Sequence, residues 1–251
     1  MEYRVFQLDV KTWRIEEYDD HSSVYFYLLS GEKGALLLDT GMGTVDTAQI
    51  VRSLTNLPVT VLCTHGHFDH IGGNAYFDEV WMHRADEPLY RLHSSPEMGF
   101  LKQPPKENIH WFEGEPTFEL GNRPLRVIHT PGHSLGSVCL LDVSRRWLFT
   151  GDTCCKADVL LNLEYSTCVS QYAQSIQKLL AMREAYDITW PDHHTVPVET
   201  GVLTQFAQAA ERLCSGQAEG ENFAFILGSA KRFVYQDIAI VYTPGNIHPL
   251  S

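Results

Sequence analysis

Short apolar runs separated by turn formers fill the first forty residues. Val, Phe, Tyr, Ile and Leu cluster at 3–10, 12–18, 23–29 and 34–38, between pairs such as Asp19-Asp20 and Ser30-Gly31, a pattern that predicts a meander of antiparallel strands. The period then changes. Val45, Ile50, Val51 and Leu54 recur at helical spacing over 44–56, and Pro58 separates that helix from the apolar strand Val59-Thr60-Val61-Leu62-Cys63. Such a strand, helix, strand unit buries a sheet against an outer helix and leaves functional loops at the strand ends. A short helix is predicted to begin at Ile71 and run toward Phe77, with Gly72 and Gly73 letting its backbone pass close to a ligand, and Val80–His83 reads as the next strand.

From Arg84 to Glu119 the pattern loosens, with Pro88, Pro96, Pro104, Pro105 and Pro116 interrupting short amphipathic pieces. Irregular insertions of this kind are commonly binding loops or lids, which makes Tyr90, Met98, Phe100 and Trp111 candidate lining of a substrate wall or, equally, aromatics that pack the insertion down. Strands resume at 125–128, 138–141 and 147–152. A helix over 170–186 carries Tyr172, Ile176, Leu179, Leu180 and Met182 on one side. The strand 188–190, a helix over 200–214 and a hairpin of 223–227 with 232–242 follow. The mixture is α/β, read as one domain over 1–251 with an insertion or lid at about 84–119.

Composition narrows the partners. At 251 residues, 44% hydrophobic and 20% charged, the chain can bury a sizeable core. A formal net charge of −12 disfavours a phosphate backbone or an anionic membrane surface as partner. Neither a basic leader followed by an apolar run nor a membrane-spanning stretch is visible, and the six cysteines lack Cys-x-x-Cys spacing. Reduced thiols in the cytoplasm and a small-molecule substrate are the expectation.

The chemistry concentrates in Thr64-His65-Gly66-His67-Phe68-Asp69-His70, directly after the apolar strand. Three imidazoles and a carboxylate within six positions form a metal-ligand layout, against the plainer reading of solvated loop histidines. In extended backbone, positions two apart share a side, so His65 and His67 can grip one ion while the following turn carries Asp69 and His70 toward a second. His83 stands alone and reads as structural or as a rim histidine.

This motif, together with Leu38-Asp39-Thr40-Gly41, Thr130-Pro131-Gly132-His133-Ser134, Thr150-Gly151-Asp152 and Pro191-Asp192-His193-His194, resembles the metallo-β-lactamase-fold superfamily, in its glyoxalase-II-like and lactonase-like branch. The resemblance implies a four-layer αββα sandwich of two mixed β-sheets flanked by helices. It implies two divalent metal ions, zinc first and iron or manganese as alternatives, with His65, His67 and His133 on one, Asp69, His70 and His193 on the other, and Asp152 bridging. Where the family usually has Pro-Gly-His, this chain has Asp192 before two histidines, which leaves His194 as a rival to His193. By the same resemblance Asp39 orients a ligand histidine, although a helix-capping turn explains it as well.

The implied function is hydrolysis of an ester, thioester or lactone by hydroxide generated at the dinuclear centre, with Asp69 and Asp152 as catalytic carboxylates. Tyr165 and Tyr172 fall where a lactonase-type tyrosine reaches a substrate carbonyl, or where helix packing needs them. Cys154 and Cys155 line a pocket or are buried inert thiols. A mononuclear iron persulfide dioxygenase and a phosphodiesterase of the same fold are the alternative functions.

Overall fold

A computed structural model of the chain describes residues 2–20, 22–103, 109–225 and 228–249. The chain divides into two compact units, Met1–Val127 and Ile128–Ser251. Pro104, Pro105 and positions 226–227 of the expected hairpin lie outside the described residues.

Unit 1 opens on the expected meander, β1 (Glu2–Asp9), β2 (Thr12–Tyr18), β3 (Ser23–Ser30) and β4 (Ala35–Leu38). Neighbours are antiparallel, with Ile15 opposite Phe26 and Leu28 opposite Leu37. Along β3 only Ser23 is not buried, and β4 is buried throughout. That double-sided burial is why both read as continuous apolar runs and not as alternating ones. α1 (Thr47–Leu54) begins at Asp46, whose carboxylate accepts the Gln49 N–H at 2.8 Å. Its Ile50 and Val51 join Phe26, Leu37 and Val61 in the core of this unit.

Three parallel steps complete the sheet. β5 (Val59–Leu62) pairs with β4, β6 (Val80–His83) with β5, and β7 (Ile109–Phe112) with β6, so the seven strands lie in chain order. Between them come α2 (Phe68–Ile71), 3-10 turns at Asn74–Tyr76 and Arg84–Asp86, and α3 (Glu87–His93). Two expectations change here. The short helix begins at Phe68, inside the histidine motif and not after it, because a helix of four residues leaves no period to read. Part of the irregular stretch 84–119 is built into the sheet as β7. A hairpin of β8 (Thr117–Glu119) and β9 (Pro124–His129) follows, and the division between the units falls within β9.

Unit 2 contains β10 (Val138–Asp142), β11 (Trp147–Gly151), β12 (Asp158–Leu161), α4 (Val169–Ala181), β13 (Ile188–Pro191), β14 (Val198–Glu199), α5 (Gly201–Cys214), β15 (Glu221–Phe225), β16 (Gly228–Tyr235) and β17 (Ile238–Tyr242). One set of strands has the order β14-β13-β11-β10, with β11 and β13 parallel. A separate sheet, β12-β17-β16-β15, stands in addition to the two that were expected. Its first strand, Asp158–Leu161, has only four residues, too few for alternation to announce it. Helices α4 and α5 pack together, and Tyr172, Ile176, Leu179, Leu203 and Phe206 enter one core with Leu148 and Ile240. Among the described residues, no helix is long and apolar enough to cross a membrane.

Candidate metal centre

In unit 1 the ligand candidates stand on the end of β5. His67 is still extended, with φ −71° and ψ 149°, and it caps α2, so Asp69 and His70 come from that helix's first turn. His65, His67 and His70 are all buried. The ring of His65 lies 4.8 Å from that of His67 and 4.1 Å from that of His70, centroid to centroid. Asp69 is less deeply set, its side chain 19% exposed and its Oδ2 3.6 Å from His70 Nε2.

One carboxylate orients two of these rings. Asp39 is fully buried at the end of β4, with φ 61°. Its Oδ2 accepts from His70 Nδ1 at 2.9 Å and from the Thr64 hydroxyl at 2.6 Å, and its Oδ1 accepts the Thr64 N–H at 2.6 Å. Because the one hydroxyl proton of Thr64 goes to Asp39, the Thr64 oxygen accepts from His65 Nδ1 at 2.9 Å. These partners assign the proton to Nδ1 in both rings and leave Nε2 as the donor atom for a cation. Oxygen or nitrogen atoms of Asp39, His65 and His70 all lie within 4.8 Å of one another.

Two further side chains fix the loop itself. Asp86, fully buried just before α3, accepts the Gly66 N–H at 2.8 Å, and His93, the last residue of α3, accepts the Phe68 N–H through Nδ1 at 3.1 Å. Helix α3 is therefore tied at both ends to the segment that carries His65 and His67. His83 likewise uses Nδ1 as an acceptor, from Ala85 N–H at 3.3 Å, the opposite tautomer to the ligand candidates and the mark of a turn cap.

Beneath the loop, Thr40 bonds the His70 carbonyl at 3.1 Å and Asn74 at 2.8 Å. The glycines after His70 serve this layer and not close approach to a ligand. A Cβ on Gly72 would run into the Met42–Gly43 backbone, and one on Gly73 would meet Thr40 and Thr47.

In unit 2 a second cluster forms. His133 is buried, its Nδ1 donates to the Leu160 carbonyl at 2.9 Å, and its Nε2 lies 3.4 Å from Asp152 Oδ2. His193 Nε2 lies 3.6 Å from Asp152 Oδ1. Gly151 is opposite Pro191 on the parallel pair β11 and β13, so Asp152 and Asp192 leave the sheet side by side. A carboxylate oxygen of Asp192, which is fully buried, lies within 4.8 Å of one on Asp152. His194 is exposed, with φ 65°, so His193 is the member of the pair that faces Asp152.

Tyr172 departs from its substrate-contact expectation. It is fully buried, its hydroxyl donates to the Thr153 carbonyl at 3.0 Å, and its ring lies where a Cβ on Gly132 would clash, so it buttresses the His133 loop from below. Ser166 and Ser175 hold the same loop through the His133 and Pro131 carbonyls, both at 2.7 Å. Tyr165, half-buried with φ 63°, stays on the loop before α4. Cys154 and Cys155 are buried, and burial pushes both thiols well up, the inert reading. Tyr90 is buried against Trp111, whereas Met98 and Phe100 remain 40% and 38% exposed.

Imidazole nitrogens with their partner atoms engaged, joined by carboxylates and without a thiolate, suit a divalent cation of the zinc, iron or manganese type. A family model described as the metallo-beta-lactamase superfamily matches residues 19–195. The chain belongs to this superfamily. It is a metal-binding hydrolase of the metallo-β-lactamase fold, and solved structures agree on that fold. A metallo-beta-lactamase from Pontibacter korlensis superposes with a TM-score of 0.68 at 21% identity, over 82% of this chain and 98% of that one. A metallo-beta-lactamase family protein from Thermus thermophilus gives 0.67 at 19% identity, over 84% and 82%. By sequence, the acyl-coenzyme A thioesterase MBLAC2 of Gallus gallus is 28% identical over 193 residues, 66% of this chain and 69% of its own. An atrochrysone carboxyl ACP thioesterase of Aspergillus fumigatus is 27% identical, over 68% of this chain and 50% of its own.

Proposed function

We propose that this protein hydrolyses acyl thioesters of a small-molecule carrier, with His65, His67 and His133 holding one divalent cation, Asp69, His70 and His193 a second, and Asp152 shared between them. The observation that carries this reading is the imposed tautomer. In His65, His70 and His133 the Nδ1 position is engaged by Thr64, Asp39 and the Leu160 carbonyl, which leaves three Nε2 atoms for ions. When bound, such cations lower the pKa of water and polarise the carbonyl under attack, and zinc is the ion we favour.

The chain's own residues supply the rest. Asp39 keeps two ligand rings from rotating. Asp69 and Asp152 both keep partial access to solvent, and Asp69 Oδ2 takes the proton released as water adds to the thioester carbonyl. That proton leaves with the thiol as the carbon–sulfur bond breaks, giving one carboxylic acid and one thiol per water consumed. A thiolate, with an ordinary pKa near 8.5, leaves with little acid assistance, so one carboxylate suffices. Support for a thioester over a lactone comes from the relatives named as thioesterases. The net charge of −12 weighs against nucleic acid, and six free cysteines fit a reducing compartment such as the cytoplasm.

The test joins metal analysis of the purified protein to a substrate panel of acyl-coenzyme A thioesters, lactones and phosphodiesters. About two divalent ions per chain, fastest release of thiol, and a fall of roughly a hundredfold or more in kcat for Asp152→Asn are expected. A single iron per chain with oxygen uptake, or preferential phosphodiester cleavage, overturns the reading.

A further inference from the structure

We propose that Phe68, Phe100 and Met98 form the surface on which the acyl chain of the substrate lies, and that this surface sets the preference for chain length. The inference rests on the thioesterase reading above. Within His65–His70, Phe68 is the one large apolar residue, and it sits between two ligand candidates. Its N–H is fixed by His93, and its ring stacks on Phe100 with centroids 4.7 Å apart and planes 25° from parallel. The His93 ring closes the third side, 5.9 Å from Phe68 and 5.1 Å from Phe100, and it stands 5.0 Å from His67.

This cluster is not finished in the manner of a core. Phe100 is 38% exposed and Met98 40%, and residues 96–100 are exposed throughout. Among the described residues of unit 1, the other strongly exposed large apolar side chains lie on β1 and in the turn after it, at Tyr3, Val5, Phe6 and Val10. Gly99, with φ 65° and open space around its Cβ position, makes the turn between Met98 and Phe100. An aromatic stack left half uncovered beside a ligand loop leaves apolar area for a ligand to bury.

Charge selects which part of the substrate that is. Between Ser94 and Leu101 the one charged residue is Glu97, which repels a phosphate, and the next cation, exposed Lys102, follows beyond Leu101. Arg91 is already paired with Glu87 at 2.6 Å. On the rings themselves an uncharged aliphatic chain is favoured over the anionic carrier. A flexible thioether and two phenyl rings adapt to such a chain, each methylene covered on one side adding roughly twofold to affinity.

The experiment uses metal-loaded protein and non-hydrolysable thioether analogues of acetyl-, octanoyl- and palmitoyl-coenzyme A, with binding followed by calorimetry. In the wild type, affinity rises with chain length. In Phe100→Ala the palmitoyl analogue binds about tenfold or more weakly while the acetyl analogue changes less than twofold, which also reports that the fold is intact. Phe100→Leu, which restores apolar area, recovers most of the loss. Met98→Ser, an exposed change that leaves the stack in place, reduces the same chain-length dependence by a smaller factor. Binding independent of chain length in the wild type, no binding of the palmitoyl analogue, or equal weakening of all three analogues in Phe100→Ala overturns the inference. Because binding is read without turnover, a protein that shows the expected dependence yet cleaves no thioester leaves this surface standing and removes the proposed reaction instead.

Discussion

Asp39 uses both carboxylate oxygens on the ligand-candidate loop, reaching His70 directly and His65 through the Thr64 hydroxyl. Replacing it removes the restraint on two rings at once. Asp39→Ala is expected to weaken metal binding by about ten- to a hundredfold in competition with a chromophoric chelator, with far-UV circular dichroism of the metal-free protein confirming the fold. An unchanged affinity would show that the ligand rings are held by something else. At this scale the sequence was informative about donors and, through the family resemblance, about Asp39, and silent about the other groups that orient the rings. His65, His67, Asp69 and His70 stood out as ligand candidates by their close spacing, whereas His133, Asp152 and His193 were named only through the family resemblance. The Leu160 carbonyl and the Thr64 hydroxyl are ordinary groups that acquire a role only through the fold. Asp192 was visible as an oddity, but its neighbour Asp152 lies forty positions earlier, and only the pairing of β11 with β13 puts the two side by side.

Helix α3 shows how an element can matter without contributing a ligand. Asp86 at its start accepts the buried Gly66 N–H, and His93 at its end accepts that of Phe68. Asp86→Ala leaves an amide in the interior with no acceptor from that side chain, at a cost of about 1–3 kcal/mol in urea denaturation, and Asp86→Asn, which retains a carbonyl, recovers part of it. Equal stability of all three proteins would remove the brace from the account. The strands that flank these features were readable because burial on both faces writes an unbroken apolar run, as in β3 and β4. Helix α2 was placed too late because His67 caps it without a side-chain hydrogen bond, so the usual start signal is missing. The 84–119 stretch read as irregular because α3 and β7 are short and prolines interrupt it, although β7 belongs to the main sheet.

For the whole molecule, the α/β class followed from alternating periods, whereas the division into two units and the extra sheet depend on contacts between distant segments that no local period encodes. Each unit has its own core, and both contain thiols. Burial raises Cys63, Cys139 and Cys154, with Cys139 pushed up to about 11 from an ordinary 9.0. The folded state holds these protons after the unfolded chain has released its own, so the stability they contribute is complete below pH 9 and lost as pH rises toward about 11. The urea midpoint is expected to fall across that window, and less so in Cys139→Ala. A midpoint that is flat or rising there would contradict the buried-thiol assignment. At pH 8 a thiol reagent should modify half-buried Cys214 first and reach the rest only on unfolding.

The double tether of α3 has a consequence for how such a protein diversifies. Insertions, deletions or replacements confined to 94–103 leave both anchor points where they are, so what the protein accepts can be revised without disturbing how the histidine loop is held. A graft of the 94–103 segment from a relative should carry over that relative's selectivity and leave the chemistry at the loop as it was.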